Sequence, residues 1–216
     1  MKQFLSENDR SLLDSRIADA ENKTGAQIVL TTVKRSDSYA EIPWKAFAIG
    51  VSVSGFGVLL YNLLVLTWMT VNLILLSLGI VLAAGFFFVL LTIFFPPFAR
   101  LFLPLHRRET ETMQYAESLF LSHELFATSA RRGILVMVSV FEKQVVILPD
   151  KGIRDKLTPE IMKNIISGMT NNLQNNRIRE AFENGLDELV MGLAAGDSVK
   201  SGSNELSNEI IEEEGA

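Results

Sequence analysis

Between Lys45 and Arg100 the chain contains no Asp, Glu, Lys or Arg. A run of about 20 apolar residues already crosses a bilayer core of ~30 Å as a helix. As a single helix, 46–99 would reach roughly 80 Å at ~1.5 Å per residue, far too long for one crossing. Two crossings fit. The pattern therefore predicts a transmembrane hairpin over 46–99, with spans at about 46–66 and 71–95. Asn62, Thr67, Thr70 and Asn72 place the turn near 67–71. Pro96-Pro97 ends the second span, because neither proline can donate a helical hydrogen bond. Ala46, Gly50 and Ser54 stand four apart, as do Gly79 and Ala83, a spacing that lets helix backbones approach closely in lipid. Its simplest use is to pack the two spans together; its sharper use is a homo-oligomer formed through the hairpin.

Flanking charge predicts the orientation. Lys34, Arg35 and Lys45 precede the hairpin, Arg100, Arg107 and Arg108 follow it, and the turn carries no base. Under the positive-inside rule both soluble flanks lie in the cytoplasm, with two spans in the inner (plasma) membrane. The first sixteen residues lack the apolar core of a signal peptide, so the first span is expected to direct insertion. Residues 98–108 alternate apolar groups with bases, which suits a stretch lying along anionic membrane lipid.

The flanks read as one α/β domain split by the hairpin, residues 1–45 and 100–196, because a helix and a strand alone cannot close a core. Ser6 and Asp9 form a capping box for a helix that Gly25 ends, and Ala26 to Val33 is a strand covered on both faces. After the hairpin come a helix at 109–128, with Met113, Ala116, Phe120 and Ala127 inward, and a strand at 134–140. A returning strand follows at 144–148. Thr158-Pro159 opens a helix with Ile161, Ile165, Met169 and Leu173 on its inner face, and 171–176 breaks the chain. A last helix at 177–195 buries Ala181, Phe182, Leu186, Leu189 and Leu193 before Gly196 ends it. The net charge of −5 is concentrated at 197–216, where six acids meet only Lys200. This Gly/Ser/Asn/Glu-rich tail is expected to be disordered, and the neutral body carries no footprint for nucleic acid.

In this order several stretches resemble the TPM domain, a family named from thylakoid-lumen, photosystem-repair and nematode receptor-associated members. The likeness rests on Leu5-Ser6-Glu7, on Glu21 through Leu30, on Gly133 through Ser139, on Val145 through Leu148, and on Asp150-Lys151-Gly152-Ile153. It is similar in particular to a bacterial membrane branch in which a two-helix hairpin interrupts the domain after its first strand. The resemblance implies an α/β fold, a mixed sheet flanked by helices and interrupted by a two-helix transmembrane hairpin. It also implies two functions. One is assembly or quality control of a membrane complex, with membrane lipid and a membrane protein as partners. The other is weak phosphatase activity dependent on a divalent cation held by acids near the sheet end. Where the family often has acids before the second strand, this chain has Ala130-Arg131-Arg132-Gly133; where it often has Gly-Asp-Tyr before the last helix, this chain has Asn175-Asn176-Arg177.

The residues themselves show no catalytic constellation. His106 and His123 are isolated, there is no cysteine, and Gly55-Phe56-Gly57 lies inside a span. Asp37, Asp150 and Asp155 are the candidate ligands for Ca²⁺ or Mg²⁺, since hard cations want several oxygens. The competing reading has Asp150 shaping its turn and Asp155 on the surface. Arg131 and Arg132 are candidates for an acidic partner or a phosphate, against a solvated loop before the strand. The expectation is a non-enzymatic, membrane-anchored accessory module, with the cation-dependent phosphatase as the alternative.

Overall fold

The structure, a computed structural model, describes residues 4–65, 70–194 and 210–215. It divides into two compact units, one formed by Met1–Asp37 with Arg108–Ala216 and the other by Ser38–Arg107.

In the first unit a four-stranded sheet is ordered β3-β2-β1-β4, with β1 Gln27–Val33, β2 Gly133–Ser139, β3 Gln144–Pro149 and β4 Ile211–Glu213. β1 runs parallel to both neighbours, and β3 returns antiparallel to β2 as a hairpin. Every residue of β1 and β2 is buried, as their mostly apolar runs suggest. Side chains alternate between two cores with the strand period. Ile28, Leu30, Ile134, Val136 and Val138 face α1 (Glu7–Thr24), α6 (Pro159–Gln174) and α7 (Ile178–Ala194). Val29, Val33, Leu135 and Met137 face α5 (Leu105–Ser122) and a 3-10 turn at Leu125–Ala127.

Local chemistry sets the element ends. The Ser6 side chain accepts from the Asp9 N–H while the Asp9 carboxylate accepts from the Ser6 N–H, and Gly25 ends α1 in the left-handed region at φ 67°. Thr158 caps α6 with Pro159 in its first turn. The five apolar residues expected inward on α7 are all buried.

Several boundaries differ from the sequence expectation. α5 begins at Leu105 and ends at Ser122, and its buried face is Thr112, Ala116 and Leu119. Met113 is exposed, and Ala127 lies exposed in the 3-10 turn, because Leu119 and Leu125 are the side chains that reach the sheet. α6 continues to Gln174, so the break falls at Asn175–Arg177, where Asn176 takes a left-handed φ of 57°. The tail expected to be disordered contributes strand β4, and Ile210 joins the α1-side core. Gly196 and the rest of 195–209 lie outside the described residues.

The second unit is a helical hairpin. Its first helix, α2, spans Glu41–Val65 and its second, α3, Val71–Phe94 with Thr70 as N-cap. α2 starts five residues before the expected span, since Pro43 sits in the first turn, where a missing N–H costs nothing. Residues 66–69 of the expected turn lie outside the described residues. α3 ends before Pro96-Pro97, which open the short α4 (Pro96–Arg100). The close approach is between Gly50 and Gly85: a Cβ on Gly50 would stand 3.0 Å from the Ala84 carbonyl oxygen and from the Gly85 Cα. Gly79, expected in the seam, has open space around it, so the contact register on α3 lies at 84–85.

Two predictions follow from this packing. Gly50→Leu separates the helices and lowers the thermal stability of the detergent-solubilised hairpin, whereas Gly79→Leu leaves it unchanged; melting of both variants checks the register. Glu21 is buried, accepts from the Ile28 N–H at 2.8 Å, and has its carboxyl pushed above the ordinary value by burial, with that hydrogen bond opposing. A raised folded-state value means stability present below the unfolded value and lost as pH rises through the folded one. Glu21→Gln, which keeps the acceptor oxygen, therefore raises the melting temperature at pH 7, and the gain vanishes as pH falls toward 4.

Candidate functional site

The two ends of the sheet carry the polar groups that a functional site would use. At the end where β2 begins, Arg131 and Asp150 meet. The Arg131 Nε donates to Asp150 Oδ2 at 2.7 Å and an Arg131 terminal nitrogen donates to Oδ1 at 2.9 Å. The Lys151 N–H adds a third bond to Oδ1 at 2.7 Å. Asp150 is buried while half of the Arg131 side chain is exposed, and its guanidinium stands 5.9 Å from the Phe126 ring centre. The hydrogen bond it donates to Asp150 is the main cause that pushes the Arg131 guanidinium above its ordinary value. Such a two-pronged, charge-assisted pair is geometrically specific.

Backbone packing holds the pair in place. Gly152 donates to the Arg131 carbonyl at 2.8 Å, and a Cβ there would fall 2.3 Å from the Ala130 carbonyl oxygen. A Cβ on Gly133 would fall 2.2 Å from the Leu125 carbonyl oxygen. Asp150 N–H donates to the Gly133 carbonyl at 2.8 Å, and Arg131 itself takes a left-handed φ of 53°. The loops before β2 and after β3 thus meet backbone to backbone.

At the other end, where β1 and β2 finish, Glu142 is fully buried. Its carboxylate accepts from the Ser36 N–H at 2.9 Å and from the Ser139 hydroxyl, and the two serine hydroxyls are 3.1 Å apart. Arg35 stacks over Phe141 at 4.3 Å. Beside this cluster a cleft of about 310 Å³ is lined by Phe4, Ser139, Val140, Lys143, Leu173, Asn176 and Ile178.

The candidate cation ligands are not brought together. Asp37 lies half-buried past the end of β1, whereas Asp150 follows β3, whose antiparallel return carries it to the start of β2. Seven-residue strands separate those ends by about 20 Å. Asp155 is exposed in the turn before α6. Asp150 already accepts from Arg131 and Lys151, so the residues present do not fit a Ca²⁺ or Mg²⁺ site, which needs several converging oxygens. Among the described residues no group of three His, Cys, Asp or Glu is placed to hold a metal ion. Arg131, a candidate for an acidic partner or a phosphate against the favoured solvated loop, is paired with an acid of its own chain. Glu142, in the turn between β2 and β3, and Glu212 and Glu213, within the tail, are not singled out by the sequence; the signal that could have found them is an acid directly after a large apolar residue, Phe141 before Glu142 and Ile211 before Glu212.

The family model of the TPM domain matches residues 102–192, from the segment leading back from the hairpin into α7. The NMR structure of the BA42 protein from the psychrophilic bacterium Bizionia argentinensis is similar in fold, with a TM-score of 0.58 over 98% of this chain and 97% of that chain at 16% identity. No curated protein matches the chain.

Asp150→Ala strips Arg131 and the Lys151 N–H of their acceptor at a buried position. It is expected to destabilise the domain by roughly 1–3 kcal/mol, read by chemical or thermal unfolding. Asp155→Ala, at an exposed turn position, is expected to change stability little.

Proposed function

Because residues 102–192 match the family model of the TPM domain, we propose that the chain is a TPM-domain protein acting as a membrane-anchored, non-enzymatic accessory module that supports the assembly or quality control of a membrane complex. The observation that carries the reading is the hairpin inserted between β1 and β2. Its two helices are long and apolar enough to cross a membrane. Their apolar side chains, among them Phe56, Leu63, Leu75, Phe86 and Ile93, face outward, where water would oppose them and lipid or an intramembrane partner would not. The bases on both flanks of the hairpin support a cytoplasmic placement of the sheet domain at the inner membrane. The engagement of Asp150 by Arg131 favours an architectural role over cation-dependent hydrolysis.

The chain purified in mild detergent is expected to migrate with a membrane-protein complex on native electrophoresis. It is also expected to show no rise in melting temperature with Ca²⁺ or Mg²⁺, although a ligand at about a hundredfold excess over Kd would add roughly 2.7 kcal/mol. Migration alone in repeated preparations, or phosphomonoester hydrolysis that needs the cation and is lost in Asp150→Asn, would overturn the proposal.

A further inference from the structure

β1 would be an exposed edge without β4, because β2 covers only its other side. The segment on that edge is held through alternating faces. Ile210 packs in the α1-side core and Ile211 in the α5-side core. On the α1 side the Glu212 carboxylate accepts from the Phe4 and Leu5 N–H groups at 3.2 Å and pairs with Arg10 at 3.0 Å. On the α5 side Glu213 accepts from the Tyr115 hydroxyl and lies 3.9 Å from His123. Lys34 donates its N–H to the Glu213 carbonyl at 3.0 Å and its Nζ to the Glu214 carboxylate at 3.3 Å. The edge thus offers an apolar slot and a cation or hydroxyl on each face, and a strand that fits it reads apolar, apolar, acid, acid, acid.

We propose that the edge of β1 is a binding groove for acidic extended peptides of this pattern, and that residues 210–214 are its resident, exchangeable ligand. Main-chain pairing with alternating side-chain pockets is the general mode of strand addition. Three observations argue for exchange. β4 pairs over three residues whereas β2 pairs with β1 over seven. The Lys34–Glu214 and His123–Glu213 contacts are substantially solvent-exposed, so salt screens them. Fifteen residues of chain join Ala194 to Ile210, so the resident strand competes intramolecularly, at an effective concentration on the order of millimolar. The inference stands on the sheet edge and does not depend on the membrane reading.

The test uses the full chain in detergent and a fluorescent peptide with the sequence of residues 205–216. A chain carrying Glu212→Lys and Glu213→Lys, whose own strand is repelled by Arg10 and no longer accepts from the Tyr115 hydroxyl, is expected to bind the peptide saturably. The binding should be at least about tenfold tighter than that of the unmodified chain, whose groove is filled, and should weaken as salt is raised. A peptide with the same two lysines is expected not to bind. If the variant keeps its circular dichroism spectrum and melting transition yet takes up no peptide, the proposal fails. Hydrogen exchange on the unmodified chain gives a second readout that needs no variant. Amides of 211–213 are expected to exchange about a hundredfold faster than those of 135–137, and equal protection would show β4 to be a permanent strand and overturn the exchange.

Discussion

β1 has no side that faces water. Its seven residues are buried, β2 covers the whole of one edge, and on the other β4 covers Thr31–Val33 while Glu21 of α1 accepts from the Ile28 N–H. A strand so enclosed must find every hydrogen-bonding partner from its neighbours, since a buried backbone group left unpaired costs as much as a lost hydrogen bond. Neither neighbour is close in sequence. Residues 38–107, which form the hairpin unit, intervene before β2, and the whole of the remaining domain intervenes before β4. Parallel pairing with both neighbours forces such long connections, because parallel strands cannot be joined by a tight turn. The insertion of an apolar helical hairpin at that crossover therefore exploits a connection that topology already demanded.

The ionic groups follow the same economy of position. Asp150 and Glu142 are buried and Glu212 is half-buried, and each meets donors supplied by a neighbouring loop or terminus. A buried carboxylate left alone is costly, so each of these acids ties its element to another one. Asp150 joins the entry of β2 to the exit of β3, Glu142 joins the exits of β1 and β2, and Glu212 joins β4 to the start of α1. Charge here acts as a set of clasps at the ends and the open edge of the sheet, while the apolar faces hold its middle.

What could be read in the sequence follows from which interactions are local. The capping box at Ser6, the glycine at 25, the proline-opened α6 and the apolar stripe of α7 depend on residues within one or two turns, and those elements stand where their patterns place them. The burial of β1 on both faces was legible in its mostly apolar, β-rich run, Gln27, Thr31 and Thr32 notwithstanding. The candidate cation set was not legible, because whether Asp37 and Asp150 share a sheet end depends on strand direction. The antiparallel β3 carries Asp150 away from the end where Asp37 lies. β4 was hidden for a different reason. Averaged over 197–216 the composition is that of a solvated tail, yet Ile210-Ile211 followed by three glutamates carries one apolar and one acidic group for each face of a strand. Only the docking surface built by α1, α5 and β1 makes that short pattern count.

The same contrast separates the two ends of the domain in what they can exchange. At the start of β2 the positive charge beside Asp150 is a guanidinium, attached to the chain and protonated at any physiological pH. Two close backbone approaches, at Gly133 and Gly152, hold its loops together. A divalent ion in such a place would come and go with its concentration; an arginine is part of the chain and does not. At the β1 edge the cations belong to the body and the carboxylates to a segment joined only through 195–209. There the charge pairing is intermolecular in character, though both partners belong to one chain. The sheet end beside Asp150 is thus sealed by the chain's own arginine, whereas the β1 edge is closed by a three-residue strand whose outermost ion pair, Lys34 with Glu214, is exposed.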